Sequence, residues 1–174
     1  MKVPMNPTRP QDEAPVRITP FQPADEAGVL DVILTVQQQE FGIPITAGDQ
    51  PDLRHIDSFY QTGAGGFWVA RADGRVVGTI GLKDIGDGQA ALRKMFVAAA
   101  YRGPGFGIAA KLLETLLAAA WAKGVTAIFL GTTEKFLAAH RFYEKHGFTR
   151  LPREDLPPTF PVMAVDTLFY VWRG

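Results

Sequence analysis

The chain contains no cysteine. This excludes a fold stabilised by disulfide bonds, a zinc site with thiolate ligands and a cysteine nucleophile. Its 18 basic and 18 acidic residues leave no formal net charge, so the positive excess typical of nucleic-acid-binding proteins and of polybasic membrane-binding segments is missing. No apolar run approaches the roughly 20 residues that span a bilayer. We expect a cytoplasmic protein with a small-molecule partner, and neither a nucleic acid nor a membrane as partner.

One domain fits the length of the chain. A chain of 174 residues can bury one sizeable core and is hardly long enough for two. Residues 1–15 contain four prolines and little apolar surface, which favours an extended tail and does not resemble a signal peptide. We therefore expect a tail over residues 1–15 and a single domain over residues 16–174. Whether the tail packs on this domain or on the second subunit of a homodimer stays open.

Apolar spacing and turn sequences predict the element order β-α-α-β-β-β-α-β-α-β-β. Strands are expected at about 17–19, 66–72, 76–85, 89–97, 125–131 and 163–172, and helices at about 23–40, 52–60, 107–123 and 134–146. Asp52 is expected to cap the second helix, and Trp121 to belong to the apolar stripe of the third. Hairpins followed by a βαβ-like unit predict an α/β (α+β) fold, in which about four helices flank a mixed, mostly antiparallel central sheet of six to seven strands.

A glycine-rich stretch between a strand and a helix, residues 101–109, is the most informative motif. Gly103, Gly105 and Gly107 lack side chains that would keep an anion from the backbone, and the N–H groups of a first helical turn attract negative charge. Arg102 adds a positive charge. The stretch therefore predicts a pyrophosphate site. A P-loop nucleotide enzyme is excluded, because no Gly-Lys-Ser or Gly-Lys-Thr follows the glycines.

Several motifs occur together in one order. They are the string at 92–97, the Arg102-x-x-Gly105-x-Gly107 element, a leucine-rich helix, a buried strand, and the segment Ala139-His-Arg-Phe-Tyr-Glu-Lys-His-Gly-Phe148. In this order, and in the order of its strands and helices, the chain resembles the GNAT superfamily of N-acetyltransferases. The resemblance runs from about Ile18 to Trp172.

The resemblance implies acetyl-CoA as co-substrate and no metal. The pantetheine arm of such enzymes lies in a V-shaped splay between the fourth and fifth strands, where a strand edge offers free amide and carbonyl groups. The cofactor-binding residues that the resemblance implies are Met95, Phe96, Val97, Arg102, Gly103, Gly105, Gly107, Ile108, Ala109, Thr132, Phe142 and Tyr143. Thr132 or Thr133 would replace a polar contact that many relatives make at the position of Phe136.

The glycine loop admits two alignments with the family pattern. Counted from Arg102, Gly105 and Gly107 have the expected spacing, but the leucines of the helix arrive two residues late. Counted back from the leucines, Gly107 and Ala109 lie nearest the helix N-terminus and the loop from residue 104 to residue 106 is enlarged. We favour the second alignment, and Gly107 binds the pyrophosphate in both.

Acetyl transfer to an amine also needs an acid for the leaving thiolate and a base for the ammonium. The resemblance implies Tyr143 as the acid, and packing on the inner helix face is the alternative. Many relatives place a glutamate early in the fourth strand, where this chain has Ala91. Glu40 and Asp84 are our candidates for the base, with His55 as a further one, and each is also explained as an ordinary surface or structural residue.

Three further polar residues have structural explanations beside functional ones. His140 and His146 share the last helix, but no third ligand is near in sequence, so we expect exposed side chains and no metal site. Asp166 lies among apolar residues, and a buried carboxylate needs a partner. It either bonds a loop, which we favour, or anchors a substrate ammonium.

We therefore expect an acetyl-CoA-dependent N-acetyltransferase, a transferase of the acyltransferase class. It would move acetyl to the primary amine of a small molecule by direct attack in a ternary complex. The alternatives are a non-catalytic acyl-CoA sensor or partner-binding domain on the same fold, and a protein-lysine or N-terminal acetyltransferase.

Overall fold

The computed structural model describes residues 15–103 and 105–174. The expected tail, residues 1–15, lies outside these ranges except for Pro15. The strands are β1 (Arg17–Pro20), β2 (Gly66–Ala72), β3 (Arg75–Gly86), β4 (Gln89–Val97), β5 (Ala127–Thr132), β6 (Thr149–Arg150) and β7 (Leu168–Arg173). The α-helices are α1 (Glu26–Leu34), α2 (Ile56–Tyr60), α3 (Ile108–Ala122) and α4 (Leu137–Lys145). Short 3-10 helices occur at Pro23–Asp25, Pro51–Arg54, Ala99–Tyr101 and Arg153–Asp155, and a π-helical turn at Thr35–Glu40 continues α1.

The seven described strands form one sheet in the order β1-β2-β3-β4-β5-β7-β6. All neighbours are antiparallel except β4 and β5, which are parallel. This confirms the predicted mixed, mostly antiparallel sheet and its element order. The β4–β5 pairing covers only Gln89–Ala91 against Ala127–Phe129, so the two strands separate beyond Ala91 and form the expected V-shaped splay.

Helices cover both faces of the sheet. Alternate residues of each strand point to opposite faces, so each strand contributes apolar side chains to both layers. In β2, Trp68 and Ala70 belong to the apolar cluster under α3 and α4, whereas Phe67 and Val69 belong to the cluster under α1 and α2. A third cluster surrounds Phe160 and covers the end of the sheet formed by β5 and β7. In the described ranges, every helix is too short or too polar to cross a bilayer.

The two helices that border the splay end as the sequence predicts. Gly124 follows α3 with φ +82° and Gly147 follows α4 with φ +90°, a left-handed conformation that favours glycine. The amide of Phe148 donates to the carbonyl of Tyr143 at 3.0 Å, and the Phe148 ring is buried. This end of α4 fixes the position of Tyr143 relative to the sheet.

Two predicted positions in the helices are wrong. Asp52 caps no helix, because α2 begins only at Ile56 and the Asp52 carboxylate is buried, where it accepts a hydrogen bond from the Tyr60 hydroxyl at 2.5 Å. Trp121 lies outside the apolar stripe of α3 and is 65% exposed. It falls on the far edge of the helix, next to the C-terminal Gly174.

Two predictions for the C-terminal third are also corrected. The last strand begins at Leu168 rather than at residue 163, because the amide of Asp166 donates to the carbonyl of Met163 and closes a turn there. His140 is buried rather than exposed, and its Nε2 lies 2.8 Å from the carbonyl oxygen of Thr133. His146 is half-buried.

Candidate active site

A cavity of about 740 Å³ opens where β4 and β5 separate. The edge of β4 from Leu92 onward and the open end of β5 form its floor, and the N-terminus of α3 and one side of α4 form its walls. Ile43 and Ile45, from the segment after α1, close it on the other side. The cavity therefore occupies the expected splay and is large enough for an extended ligand.

Strand β4 carries a β-bulge in the middle of this floor. Gly81 of β3 pairs with Arg93 and Thr79 pairs with Phe96, so one residue of β3 faces both Lys94 and Met95. Lys94 has φ +57°, a left-handed conformation that is unusual for a lysine. The Thr79 hydroxyl donates to the Lys94 carbonyl at 2.7 Å and fixes the bulge.

The glycine loop forms a tight turn at the opposite end of the cavity. The amides of Phe106 and Gly107 both donate to the Gly103 carbonyl, and Gly107, with φ +62°, is the residue before α3. The first helical hydrogen bond runs from the Lys111 amide to the Gly107 carbonyl, so the preceding amides of the helix point outward without an intrahelical acceptor. A side chain at Gly107 would meet no described atom within 4 Å, so the residue before α3 faces open space.

Most of the expected cofactor-binding residues meet in this cavity. Its lining includes Met95, Phe96, Val97, Arg102, Gly103, Gly107, Ile108, Ala109, Thr132, Phe142 and Tyr143. Gly105 is exposed and lies outside the lining, while Pro104 is outside the described residues. Phe136 also lines the cavity, where its ring packs edge-on against Phe41 and Phe96.

Tyr143 is buried and lies on the cavity side of α4. Its ring packs against Phe148 and Tyr170. Burial, with a smaller effect from Tyr170, raises the pKa of the Tyr143 phenol well above its ordinary value of 10. The group is therefore held as a neutral hydrogen-bond donor at every physiological pH.

The candidate bases Glu40 and Asp84 form hydrogen bonds and ion pairs with other groups and do not line the cavity. The Glu40 carboxylate forms a two-pronged ion pair with the Arg102 guanidinium, whose Nε also donates to the Val97 carbonyl at 2.9 Å. Asp84 accepts hydrogen bonds from the amides of Ala64 and Gly86, which lower the pKa of its carboxyl. Neither Glu40, Asp84 nor His55 is among the described residues that line the cavity.

Two cations that sequence reasoning did not single out, the half-buried Arg93 and the buried Lys94, line the cavity at the bulge. Arg93 and Lys94 approach the same oxygen of Asp52, with nitrogen–oxygen distances of 4.0 and 3.9 Å. The Lys94 ammonium also donates to the Gln50 side-chain oxygen at 2.5 Å. Burial lowers the pKa of Lys94 to about 8, although the charge of Asp52 opposes this shift. The available signal was two adjacent basic residues inside an otherwise apolar strand.

Asp166 supplies a carboxylate to the same end of the cavity. Its Oδ2 accepts a hydrogen bond from the Met163 amide at 2.8 Å, within the loop that precedes β7. Among the described residues, no group of three or more histidine, aspartate or glutamate side chains is arranged to hold a metal ion. The cavity thus combines the N-terminus of α3, an open strand edge, a buried phenol and a polar cluster.

Comparison with known proteins agrees with this arrangement. The sequence model of the Acetyltransferase (GNAT) family matches residues 31–148. A crystal structure of a GNAT-family acetyltransferase from Staphylococcus aureus is 36% identical, covers 91% of this chain and 98% of that one, and has a TM-score of 0.87. The chain belongs to the GNAT acetyltransferase family.

Two further comparisons add detail. N-acetylaspartate synthetase from Danio rerio is 36% identical over 128 residues, which are 70% of this chain and 44% of that protein, so this chain spans less than half the length of that relative. The PaiA N-acetyltransferase from Thermoplasma acidophilum, solved in complex with coenzyme A, is 19% identical with a TM-score of 0.70 over 91% of this chain and 99% of that one. At that identity, the second likeness shows the shared fold.

Proposed function

We propose that this protein transfers the acetyl group of acetyl-CoA to the primary amine of a small molecule that also carries a carboxylate. The observation that carries the proposal is the cavity itself, with the N-terminus of α3 at one side and the cations Arg93 and Lys94 at the other. The first end suits a pyrophosphate. The second end suits a carboxylate.

The residues of the cavity fit acetyl-CoA. The amides at the start of α3, behind Gly107, would hold the pyrophosphate. The edge of β4 beyond Ala91 has no partner in β5 and would pair with the amides of the pantetheine arm, as a strand pairs with a strand. Arg102 would add a charge for a phosphate once it leaves Glu40. Acetyl-CoA supplies an activated acyl group as a thioester, so the protein itself needs to supply no nucleophile.

Direct attack by the amine in a ternary complex requires positioning and proton transfer. Holding the two substrates side by side in the splay supplies the positioning. A phenol is a weaker acid than a thiol, with ordinary pKa values of about 10 and 8.5, and burial raises the pKa of Tyr143 further. Tyr143 therefore donates a hydrogen bond to the departing sulfur and passes a proton to it as it receives one from the nitrogen.

The carboxylate on the acceptor is argued from charge. Arg93 and Lys94 share one oxygen of Asp52, and that oxygen also accepts a hydrogen bond from the Tyr60 hydroxyl. Among the described residues, Asp52 is the one carboxylate within 4.0 Å of these two cations, and Asp166 acts on both from further away. A buried charge that is not fully balanced is costly. A substrate carboxylate would complete this set. The name of the Danio rerio relative, an N-acetylaspartate synthetase, is consistent with such an acceptor.

A non-catalytic acyl-CoA sensor is the second candidate. It is favoured by Ala91, a buried residue at the position where many relatives carry a catalytic glutamate, and by the ion pair that occupies Glu40. Such a protein would bind acetyl-CoA through the N-terminus of α3 and would not catalyse acetyl transfer.

One assay separates these candidates. The purified full-length chain is mixed with acetyl-CoA and a panel of amines, and thiol release is followed together with binding of acetyl-CoA. The panel contains aspartate, glutamate, glycine and β-alanine, together with amines of similar size that lack a carboxylate. Thiol release with the first group supports the proposal, and tight acetyl-CoA binding without release on any amine supports the sensor.

A further inference from the structure

Asp166 is the one acidic residue among the described residues that line the cavity. The ionisable side chains that share the lining are otherwise basic or phenolic, namely Arg93, Lys94, Tyr101, Arg102, Lys135, Tyr143, Lys145 and His146. A primary amine arrives as an ammonium at neutral pH, because its pKa is about 10. A single carboxylate among so many cations is the group such an ammonium would meet.

The carboxyl group of Asp166 lies over the open part of the splay. A Cβ atom built on Gly131 of β5 would lie 2.6 Å from the Asp166 carboxyl carbon, so the carboxyl fills the space that a side chain at Gly131 would take. Gly131 lies beyond Phe129, where β5 has lost its pairing with β4. The carboxyl therefore stands beside the gap between the two strands, next to the expected path of the thioester.

The loop around Asp166 holds this position. The Asp166 Oδ2 accepts from the Met163 amide, and the Asp166 amide donates to the Met163 carbonyl. The next amide, that of Thr167, donates to the Thr132 carbonyl of β5 at 2.8 Å. These bonds use one carboxylate oxygen and tie the loop to the strand that borders the splay.

We infer that Asp166 binds the ammonium group of the acceptor and accepts its proton before the nitrogen attacks the thioester. This inference rests on the proposed function. One proton passes from the ammonium to the Asp166 carboxylate, and the nitrogen lone pair forms the bond to the acetyl carbon. The bond from that carbon to sulfur then breaks, and the second nitrogen proton reaches the sulfur through Tyr143. Asp166 later releases its proton to solvent.

The surroundings of Asp166 suit this role. Burial raises the pKa of the Asp166 carboxyl, against the opposing effects of the Met163 amide and of Arg93, Lys94 and Arg153. A raised pKa makes the carboxylate a better base, because it reduces the difference between the pKa of the carboxyl and the pKa of the ammonium. The other candidates in the lining are engaged, since Lys94 donates to Gln50 and the Nδ1 of His146 lies 2.8 Å from the Phe142 carbonyl.

The test compares the pH dependence of kcat/KM in the wild type and in Asp166→Asn. The wild type uses the ammonium form directly, so its kcat/KM for the best amine of the panel should level off once Asp166 is ionised and stay flat up to about pH 7.5. The variant has no carboxylate to remove the proton, so it can use only the unprotonated amine. Its kcat/KM should therefore be about 10²-fold lower and rise about tenfold per pH unit. Asparagine still accepts from the Met163 amide, so unchanged thermal unfolding would show that the fold is kept.

Two further variants separate a chemical role from a structural one. Gly131→Ala places a methyl group against the Asp166 carboxyl, so it should lower kcat/KM and produce the same rising profile. Asp155→Asn removes an exposed acid from the same segment and should keep the flat wild-type profile.

The outcomes are distinct. A flat profile in Asp166→Asn, at whatever rate, would overturn the role of Asp166 as base while leaving acetyl transfer established. If the wild type acetylates no amine, the proposed function fails first, and the role of Asp166 fails with it.

Discussion

Arg93 and Lys94 are consecutive in β4, and yet both side chains approach the same oxygen of Asp52, at 4.0 and 3.9 Å. Successive residues of a regular strand point to opposite faces of the sheet. The bulge at Lys94 removes this alternation, so that two cations reach one side. A lysine with positive φ is strained, and such strain is concentrated at functional sites. The bulge thus brings both cations to the end of the cavity where we propose that the acceptor binds.

The first prediction concerns this cation pair. Arg93→Gln should raise KM for a carboxylate-bearing amine roughly 10- to 100-fold, because a hydrogen bond to a charged group contributes about 1.5–3 kcal/mol. The KM for acetyl-CoA should stay the same. An amine of equal size without a carboxylate is the matched control and should lose little. Equal losses on both amines would contradict a carboxylate site.

The second prediction is a pH effect on binding at Lys94. The pKa of Lys94 is about 8, so its positive charge is present below that pH and is lost as the pH rises through it. Inhibition by the N-acetylated product, which has a carboxylate and no amine to titrate, should therefore weaken above about pH 8. Lys94→Gln should bind this product weakly at all pH values. A pH-independent inhibition constant in the wild type would contradict the assignment.

The third prediction tests the pyrophosphate site. Gly107 has φ +62°, so any side chain there is strained, and Gly107→Ala measures that strain alone. Gly107→Glu adds an anion in front of the α3 amides and should weaken acetyl-CoA binding roughly tenfold more than the alanine variant does. Isothermal titration with acetyl-CoA gives both affinities. Identical affinities in the two variants would place the pyrophosphate elsewhere.

The fourth prediction concerns Tyr143. Tyr143→Phe keeps the buried ring and removes the hydroxyl, so kcat should fall about 10²-fold while the dissociation constant of acetyl-CoA changes little. Rapid-quench measurement of the first turnover would show whether the chemical step itself is slowed. Wild-type rates in this variant would remove Tyr143 from proton transfer and leave it a packing role.

Much of the fold follows from local signals in the sequence. The hairpins of β2, β3 and β4 are marked by apolar runs between the turn sequences Ala-Asp-Gly and Gly-Asp-Gly, and α3 and α4 end at glycines that take positive φ. The family resemblance also pointed to the glycine loop and to Tyr143, and most of these residues do line the cavity. The family resemblance then supplied the splay between β4 and β5.

Other features depend on individual hydrogen bonds that the apolar pattern of the sequence does not reveal. Asp52 has the residue type of a helix cap, but Tyr60 and the bulge of β4 decide its burial. His140 is polar and on a helix, yet the Thr133 carbonyl makes its burial possible. The turn closed by Asp166 interrupts an apolar run that reads as strand. Each of these outcomes is set by a specific hydrogen bond, which the periodicity of apolar residues does not record.

The most direct measurement is a competition in one reaction mixture. The full-length chain receives acetyl-CoA with equal concentrations of β-alanine and propylamine, which differ in the presence of a carboxylate, and both N-acetylated products are quantified by mass spectrometry. The product ratio equals the ratio of the two kcat/KM values, and a cation pair that binds the carboxylate predicts at least about tenfold more N-acetyl-β-alanine. Equal amounts of the two products, or an excess of N-acetylpropylamine, would contradict the account.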